Sequence, residues 1–159
     1  MKNITELNQV LIEQGIKPSQ LTKLPHISID GIVVPENDEK VTRDITSFLS
    51  NQPPLQIVFS ELGFYPGRGG ITLKLGIENK DSIKEFNKEF MAAIHGKVTK
   101  LDLHLTLARC VNLEVYERVK QVGFHFESCS CEEVAIYKKE YKAKGAYEVI
   151  GRVEFGKVK

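Results

Sequence analysis

Two tripeptides constrain this chain more than any other feature: His26-Ile27-Ser28 and His104-Leu105-Thr106. Each lies in an apolar run that alternates as a strand does, Leu24-Pro25-His26-Ile27-Ser28-Ile29 and Leu101-Asp102-Leu103-His104-Leu105-Thr106-Leu107. Side chains two apart in a strand share a face. Each motif therefore presents one imidazole and one hydroxyl together. Ile27 and Ile29, or Leu103, Leu105 and Leu107, turn the other way into a core. Two such strands side by side line a cleft with two histidines and two hydroxyls, which is equipment for acid–base chemistry on a phosphate ester. One copy is a weak signal; a pair in matching frames is a good one.

The remaining composition narrows the setting. A chain of 159 residues fits one domain and buries enough surface to fold without a disulfide or metal staple. Lys and Arg number 22 against 21 Asp and Glu, a net charge of +1, which does not suggest a bulk nucleic-acid coat, so any anion must be gripped locally. The opening Met1-Lys2-Asn3-Ile4-Thr5-Glu6 lacks the apolar core of a signal peptide, and no run approaches transmembrane length. Three cysteines are an odd number without framework spacing. The expectation is a cytoplasmic monomer with reduced thiols, no membrane contact and no stable protein partner.

Periodicity predicts helices near residues 5–14, 37–50, 80–94 and 113–122. The third is the clearest, with Ile83, Phe86, Phe90 and Ile94 at helical spacing and Gly96 as its stop. Leu55 to Phe59, Ile71 to Ile77, Phe124 to Ser130, Glu133 to Tyr141 and Tyr147 to Phe155 read as strands. Asp30-Gly31 and Lys144-Gly145 read as turns, and Gly63 to Gly70 as a mobile loop. Each half offers a helix, a His-bearing strand, a second helix and then strands. The expected fold is α+β: one domain over 1–159 built of two pseudo-symmetric lobes, mainly antiparallel sheets with outer helices, each lobe bringing one His motif to a central cleft.

Histidine suits both roles in phosphodiester cleavage because its pKa lies near 6.5. One of His26 and His104 enters neutral as base and the other charged as acid, with the order left open. Ser28 and Thr106 donate to the non-bridging oxygens. Tyr65 and Arg68, in the glycine-rich segment, are candidate substrate contacts, a stacking surface and a phosphate grip. The other features read as structural. His95 precedes Gly96 at a helix end, and His125 has Glu127 where a hydroxyl would stand. Cys129-Ser130-Cys131 has one intervening residue, too few for a zinc pair, so no metal site is expected. Pro66-Gly67-Arg68-Gly69-Gly70 lacks the Lys-Ser/Thr ending of a P-loop. Lys138, Lys139, Lys142 and Lys144 read as a solvated edge. Arg109 has the opposite strand parity from His104 and should point away from it.

These residues resemble the 2H phosphoesterase superfamily, which includes bacterial 2'-5' RNA ligase-like proteins and cyclic phosphodiesterases. Its hallmark is two His-x-Ser/Thr motifs on strands of two pseudo-symmetric lobes. Pro53-Pro54-Leu55, leading to Leu62-Gly63-Phe64-Tyr65-Pro66, is similar to its middle segment, and Leu103 to Arg109 resembles its second motif closely. The resemblance covers about residues 20–156. Two departures stand out: Met1 to Thr5 is polar where many members have an apolar strand, and Ile71-Thr72-Leu73 lacks an aromatic that members often carry. The resemblance implies His26 and His104 as acid and base, Ser28 and Thr106 as phosphate binders, and no metal or other cofactor. The expected activity is metal-independent hydrolysis of a ribose-linked phosphodiester in a nucleotide or short RNA, such as a 2',3'-cyclic phosphate, a 2'-5' oligonucleotide or a related cyclic nucleotide. Reversible 2'-5' RNA ligation, and a nucleotide- or RNA-binding module without turnover, are the alternatives.

Overall fold

The structure is a computed structural model that describes residues 3–29, 37–98, 100, 102–123, 126, 128–138 and 147–156. His125, Lys139, Lys142, Lys144 and both the Asp30-Gly31 and Lys144-Gly145 turns lie outside the described residues. The chain divides into two compact units, each assembled from three separate segments. The first holds Met1–Ser28, Ile57–Lys80 and Asp102–Cys129; the second holds Ile29–Gln56, Asp81–Leu101 and Ser130–Lys159.

The first unit is built on three antiparallel strands in the order β2 (Phe59–Gly67), β3 (Gly70–Ile77), β4 (His104–Val111). Strict alternation makes β3 two-faced: Ile71, Leu73, Leu75 and Ile77 are buried while Thr72, Lys74 and Gly76 are only half-buried. On β4, Leu105 and Leu107 join the buried face. Two helices belong to this unit, α1 (Ile4–Glu13) and α4 (Leu113–Val122). Asn3 caps α1 by accepting from the Glu6 N–H at 3.0 Å, so the polar start of the chain serves a helix. Leu7 and Leu11 are its buried stripe. Arg118 Nε of α4 donates to the Gln14 carbonyl at the end of α1, at 3.3 Å. Tyr116 of α4 meets Phe64 edge-on at 4.9 Å, which places α4 on the apolar side of the sheet, where Phe64 pairs with Leu73.

β2 corrects the expectation of a loop from Gly63 to Gly70. Residues Gly63–Gly67 continue the strand, paired from Gly63↔Lys74 to Gly67↔Gly70, and only Arg68 and Gly69 form the turn. Glycine and proline read as breakers, but β2 is an edge strand, where a proline lacking its N–H is tolerated. Gly69, at φ 76, takes the turn position that needs a positive angle.

β4 contains two irregularities. Its pairing with β3 runs Gly76↔His104, Leu75↔Leu105, Lys74↔Thr106, then Leu73↔Ala108 and Ile71↔Val111, so β4 carries an extra residue at Leu107 and another before Val111. Leu107 and Ala108 are consecutive and both buried. Cys110 sits at φ 55, and its carbonyl accepts from Gln20 Nε2 at 2.7 Å. On its outer edge β4 meets the start of the first motif's segment: Leu21 bridges Ala108 in antiparallel sense, and the Thr22 N–H donates to the Leu107 carbonyl at 2.9 Å.

The second unit packs α2 (Asp38–Leu49), nearly all of α3 (Lys80–Ala93) and the antiparallel pair β6 (Glu133–Lys138) and β7 (Glu148–Glu154). Ile45, Leu49, Phe86, Phe90, Met91, Ile94, Val153 and Phe155 form one core. Phe86 lies 5.7 Å from Phe48 and from Phe155 and 6.0 Å from Phe90, a set of ring contacts that adds directional preference to burial. α3 ends as its sequence suggests: His95 takes a left-handed φ of 55, and the Gly96 N–H donates to the Met91 carbonyl at 2.9 Å. A short ladder pairs β1 (Leu55–Ile57) with β5 (Cys129–Cys131).

The α+β class with antiparallel sheets and, among the described residues, four α-helices is as expected. The distribution of the motifs is not: both histidines belong to the first unit, because the Leu21–Ala108 bridge ties the N-terminal segment to the strand that carries His104. Pro25 and two bends at Lys23 and Leu24 interrupt that segment, so His26 lies outside any assigned strand. Proline has no N–H to give to a ladder.

Gly70 closes the hairpin onto β4. Its φ is 137, and a Cβ there would lie 2.7 Å from the Cys110 carbonyl carbon and 2.8 Å from the Val111 oxygen, both backbone atoms. Gly70→Ala should therefore destabilise the protein by about 2 kcal/mol or more. Gly69→Ala, with nothing within 4 Å of its Cβ position, should cost only about 1 kcal/mol. Chemical denaturation midpoints of the two variants check the difference, and equal midpoints would contradict it.

Candidate functional site

The polar face of the three-stranded sheet carries the second motif. His104 and Thr106 are half-buried on β4, with Lys74 of β3 directly opposite Thr106 and Gly76 opposite His104. Gly76 has a packing reason: a Cβ there would meet Ser60 Oγ. Tyr65, on the same face of β2, reaches diagonally across Lys74. Its ring meets the His104 imidazole edge-on at 5.2 Å, and the Lys74 ammonium lies 3.7 Å from its ring centroid. That is the geometry of a cation–π contact.

Both histidines are held in one way. His104 Nδ1–H donates to the carbonyl of Asp102, two residues earlier, at 2.7 Å, and His26 Nδ1–H donates to the carbonyl of Leu24, also two residues earlier, at 2.9 Å. A donating Nδ1 leaves the neutral ring with Nε2 as its proton-accepting atom. The two motifs thus share an internal geometry as well as a sequence pattern, although only the second lies in a regular strand.

His104 has a further set of neighbours. The Tyr65 hydroxyl donates to the Asp102 carboxylate, while its oxygen lies 3.4 Å from His104 Nδ1. Asp102 therefore reaches the imidazole by its own carbonyl and, through Tyr65, by its carboxylate. The Tyr65 hydrogen bond holds the Asp102 carboxyl below its ordinary value; partial desolvation opposes this, and the charges of Lys74, His104 and Lys80 add to it.

The structure sorts the residues expected from the sequence. Tyr65, His104 and Thr106 share one face of one sheet. His26 and Ser28 are exposed on the segment that leaves the β4 edge at Thr22. Arg68 is elsewhere: it sits in the turn beyond Gly67↔Gly70, whereas His104 pairs with Gly76, six residues along β3, or about 20 Å. Arg109 is exposed; the extra residue at Leu107 reverses its parity, so it returns to the side of the sheet that bears His104 and Thr106 rather than pointing away. Asp102 and Lys74 were not among the expected residues. Asp102 was open to discovery, since it shares the parity of His104 and Thr106 in an otherwise apolar run.

A cleft of about 700 Å³ lies at the other end of the same sheet, lined by Lys17, Gln20, Gly67, Gly70, Cys110 and Asn112 among others; it includes neither histidine. Among the described residues, no three His, Cys, Asp or Glu side chains converge as metal ligands would, and no helix is long and apolar enough to cross a membrane.

A two-faced antiparallel sheet bearing one of two identically anchored His-x-Ser/Thr motifs defines a class, and comparison with known proteins names it. The model of the 2'-5' RNA ligase superfamily matches residues 4–142, and the chain belongs to that family, the 2H phosphoesterases. Among solved structures it is similar in fold to TT0787 of Thermus thermophilus, with a TM-score of 0.56 and 16% identity over 96% of this chain and 93% of that one. No curated protein sequence matches the chain. The superfamily is generally enzymatic, and membership supports a related activity.

The charge on Asp102 has a consequence for stability. A carboxyl whose pKa falls on folding stabilises the native state above its unfolded value of about 3.9, and loses that contribution as pH falls through the lower folded value. The stability advantage of wild type over Asp102→Asn should therefore be present above about pH 5 and close as pH falls below about 4. Urea unfolding across that range checks it; a gap that persists unchanged at pH 3 would contradict it.

Proposed function

We propose that this protein is a metal-independent phosphodiesterase that hydrolyses a ribose-linked phosphodiester by two-histidine acid–base catalysis. The substrate class is a nucleotide or short RNA: a 2',3'-cyclic phosphate, a 2'-5' linked oligonucleotide or a related cyclic nucleotide. The observation that carries the reading is the matched anchoring of His26 and His104, each with Nδ1–H on the carbonyl two residues earlier. That arrangement suits Nε2 of each ring to exchange a proton with substrate. The Leu21–Ala108 bridge supports bringing the motifs together, since His26 lies four residues beyond Thr22 and His104 three residues back from Leu107 on an antiparallel neighbour.

In this reading one imidazole takes a proton from the attacking oxygen and the other gives one to the leaving oxygen. Ser28 and Thr106 bind the non-bridging oxygens, and Lys74, opposite Thr106, adds positive charge beside them. The family name favours a second reading, the joining of 2'-5' RNA, which runs the same proton transfers backwards. The odd number of cysteines, three in all, supports a reducing compartment such as the cytoplasm.

A panel of 2',3'-cyclic nucleotides and 2'-5' oligoadenylates, assayed with chelator present, tests the proposal. Activity should survive chelation and show a bell-shaped pH profile, because one imidazole must be neutral while the other is charged. His26→Ala and His104→Ala should each lose about 10²–10⁴-fold in kcat, and the double variant should lose far less than the product. Ser28→Ala and Thr106→Ala should lose less. Near-wild-type turnover in either His variant would exclude the mechanism. Nucleotide binding without any turnover would make the protein a binding module.

A further inference from the structure

The two motifs are anchored alike but surrounded differently. At the position two before the histidine, the first has Leu24 and the second Asp102. The Asp102 side chain accepts from the Tyr65 hydroxyl, whose oxygen lies 3.4 Å from His104 Nδ1. The Tyr65 ring stands edge-on to the imidazole at 5.2 Å, and its own face is covered by the Lys74 ammonium at 3.7 Å. Tyr65 commits its hydroxyl to Asp102 and one ring face to Lys74, and its ring meets the imidazole in a T-shaped contact.

We propose that Tyr65 and Asp102 are a positioning pair for His104, holding its imidazole with Nδ1–H turned toward the protein and Nε2 presented to substrate. This rests on the two-histidine reading above and deepens it. The order of the contacts sets the hydrogen-bond directions. Tyrosine has one hydroxyl proton, and it goes to the carboxylate. The phenolic oxygen is then left as an acceptor facing Nδ1–H, beside the Asp102 carbonyl. Were Nδ1 to lose its proton, the carbonyl and the phenolic oxygen would both face a lone pair. The surroundings thus favour the tautomer with Nε2 as the exchanging atom, and equally a doubly protonated ring. Ionised Asp102 keeps the tyrosine proton on its side of that arrangement. Tyr65 of β2 touches the carboxylate, and the charges that act on it are those of Lys74 of β3, His104 of β4 and Lys80 at the start of α3. Lys74 thereby serves twice, opposite Thr106 on the sheet and as a positive charge that adds to the Tyr65 hydrogen bond in favouring the Asp102 carboxylate.

Tyr65→Phe removes the hydroxyl while leaving the ring beside His104 and Lys74. Asp102→Asn removes the charge at constant size and keeps the backbone carbonyl. Long-range nitrogen–proton NMR of the full-length protein reads the His104 tautomer directly and needs no substrate. Both variants should move the His104 ring nitrogens away from the single Nδ1–H pattern, with His26 unchanged. Steady-state kinetics on a 2',3'-cyclic nucleotide should show kcat reduced about 10- to 100-fold with KM within about twofold. The double variant should fall no further than the worse single one, since the two residues act as a unit. Unaltered His104 signals in both variants would overturn the proposal. So would a rise in KM at constant kcat in Tyr65→Phe, which would make Tyr65 a substrate-binding residue. If the wild type turns over no phosphodiester, the hydrolase reading fails by itself, and the NMR measurement still decides whether the pair positions His104.

Discussion

Everything at the site depends on the register between β3 and β4. Pairing Gly76 with His104 and Lys74 with Thr106 puts imidazole, hydroxyl and ammonium on one face. The same pairing puts Leu75 beside Leu105 on the other, and all three of its neighbours Leu73, Ile77 and Leu107 are buried there. A slip of one residue would turn the leucines to solvent and bury a lysine and a histidine. The hydrophobic effect that folds the sheet therefore also aligns the polar groups. Their alignment needs no interaction of its own to specify it, and side chains such as Tyr65 and Asp102 are left to refine orientation.

How far the sequence revealed this depended on which signal each element carried. α3 was legible because Ile83, Phe86, Phe90 and Ile94 recur at helical spacing, and all four are buried. The parity of His104 and Thr106 was legible for the same kind of reason. Gly63 to Gly70 misled, because glycine and proline are local signals of a turn, while pairing to β3 is a tertiary fact that outweighs them at a sheet edge. Arg109 misled through the extra residue in β4. Counting parity assumes an unbroken ladder, and a bulge at Leu107 leaves no mark in a run of small and apolar residues. At the first motif the segment forms no regular strand, and Pro25 is the cause.

The two units divide the chain in a way that no linear reading of halves would show. Each draws on three segments, so neither could be excised as one piece of sequence. The second unit concentrates its aromatic residues, with Phe48, Phe86 and Phe90 in mutual ring contact and Phe155 against Phe86, in a core shared with Leu49 and Val153. The first gathers the residues with reactive potential. Both His motifs, Tyr65, Lys74 and Asp102 belong to it, and the 2'-5' RNA ligase family match at residues 4–142 runs through both units.

The carbonyl that anchors each imidazole belongs to the main chain, and this bears on how such a protein can change over evolutionary time. The hydrogen bond to a backbone atom survives almost any substitution at the residue that owns the atom. The side chain there decides what further control the ring receives, as Asp102 does through Tyr65 at His104. Leu24 and Asp102 occupy equivalent positions and bring opposite chemical character to two histidines held in the same manner. Two motifs anchored alike can in this way diverge one residue at a time, each histidine keeping its main-chain hydrogen bond throughout.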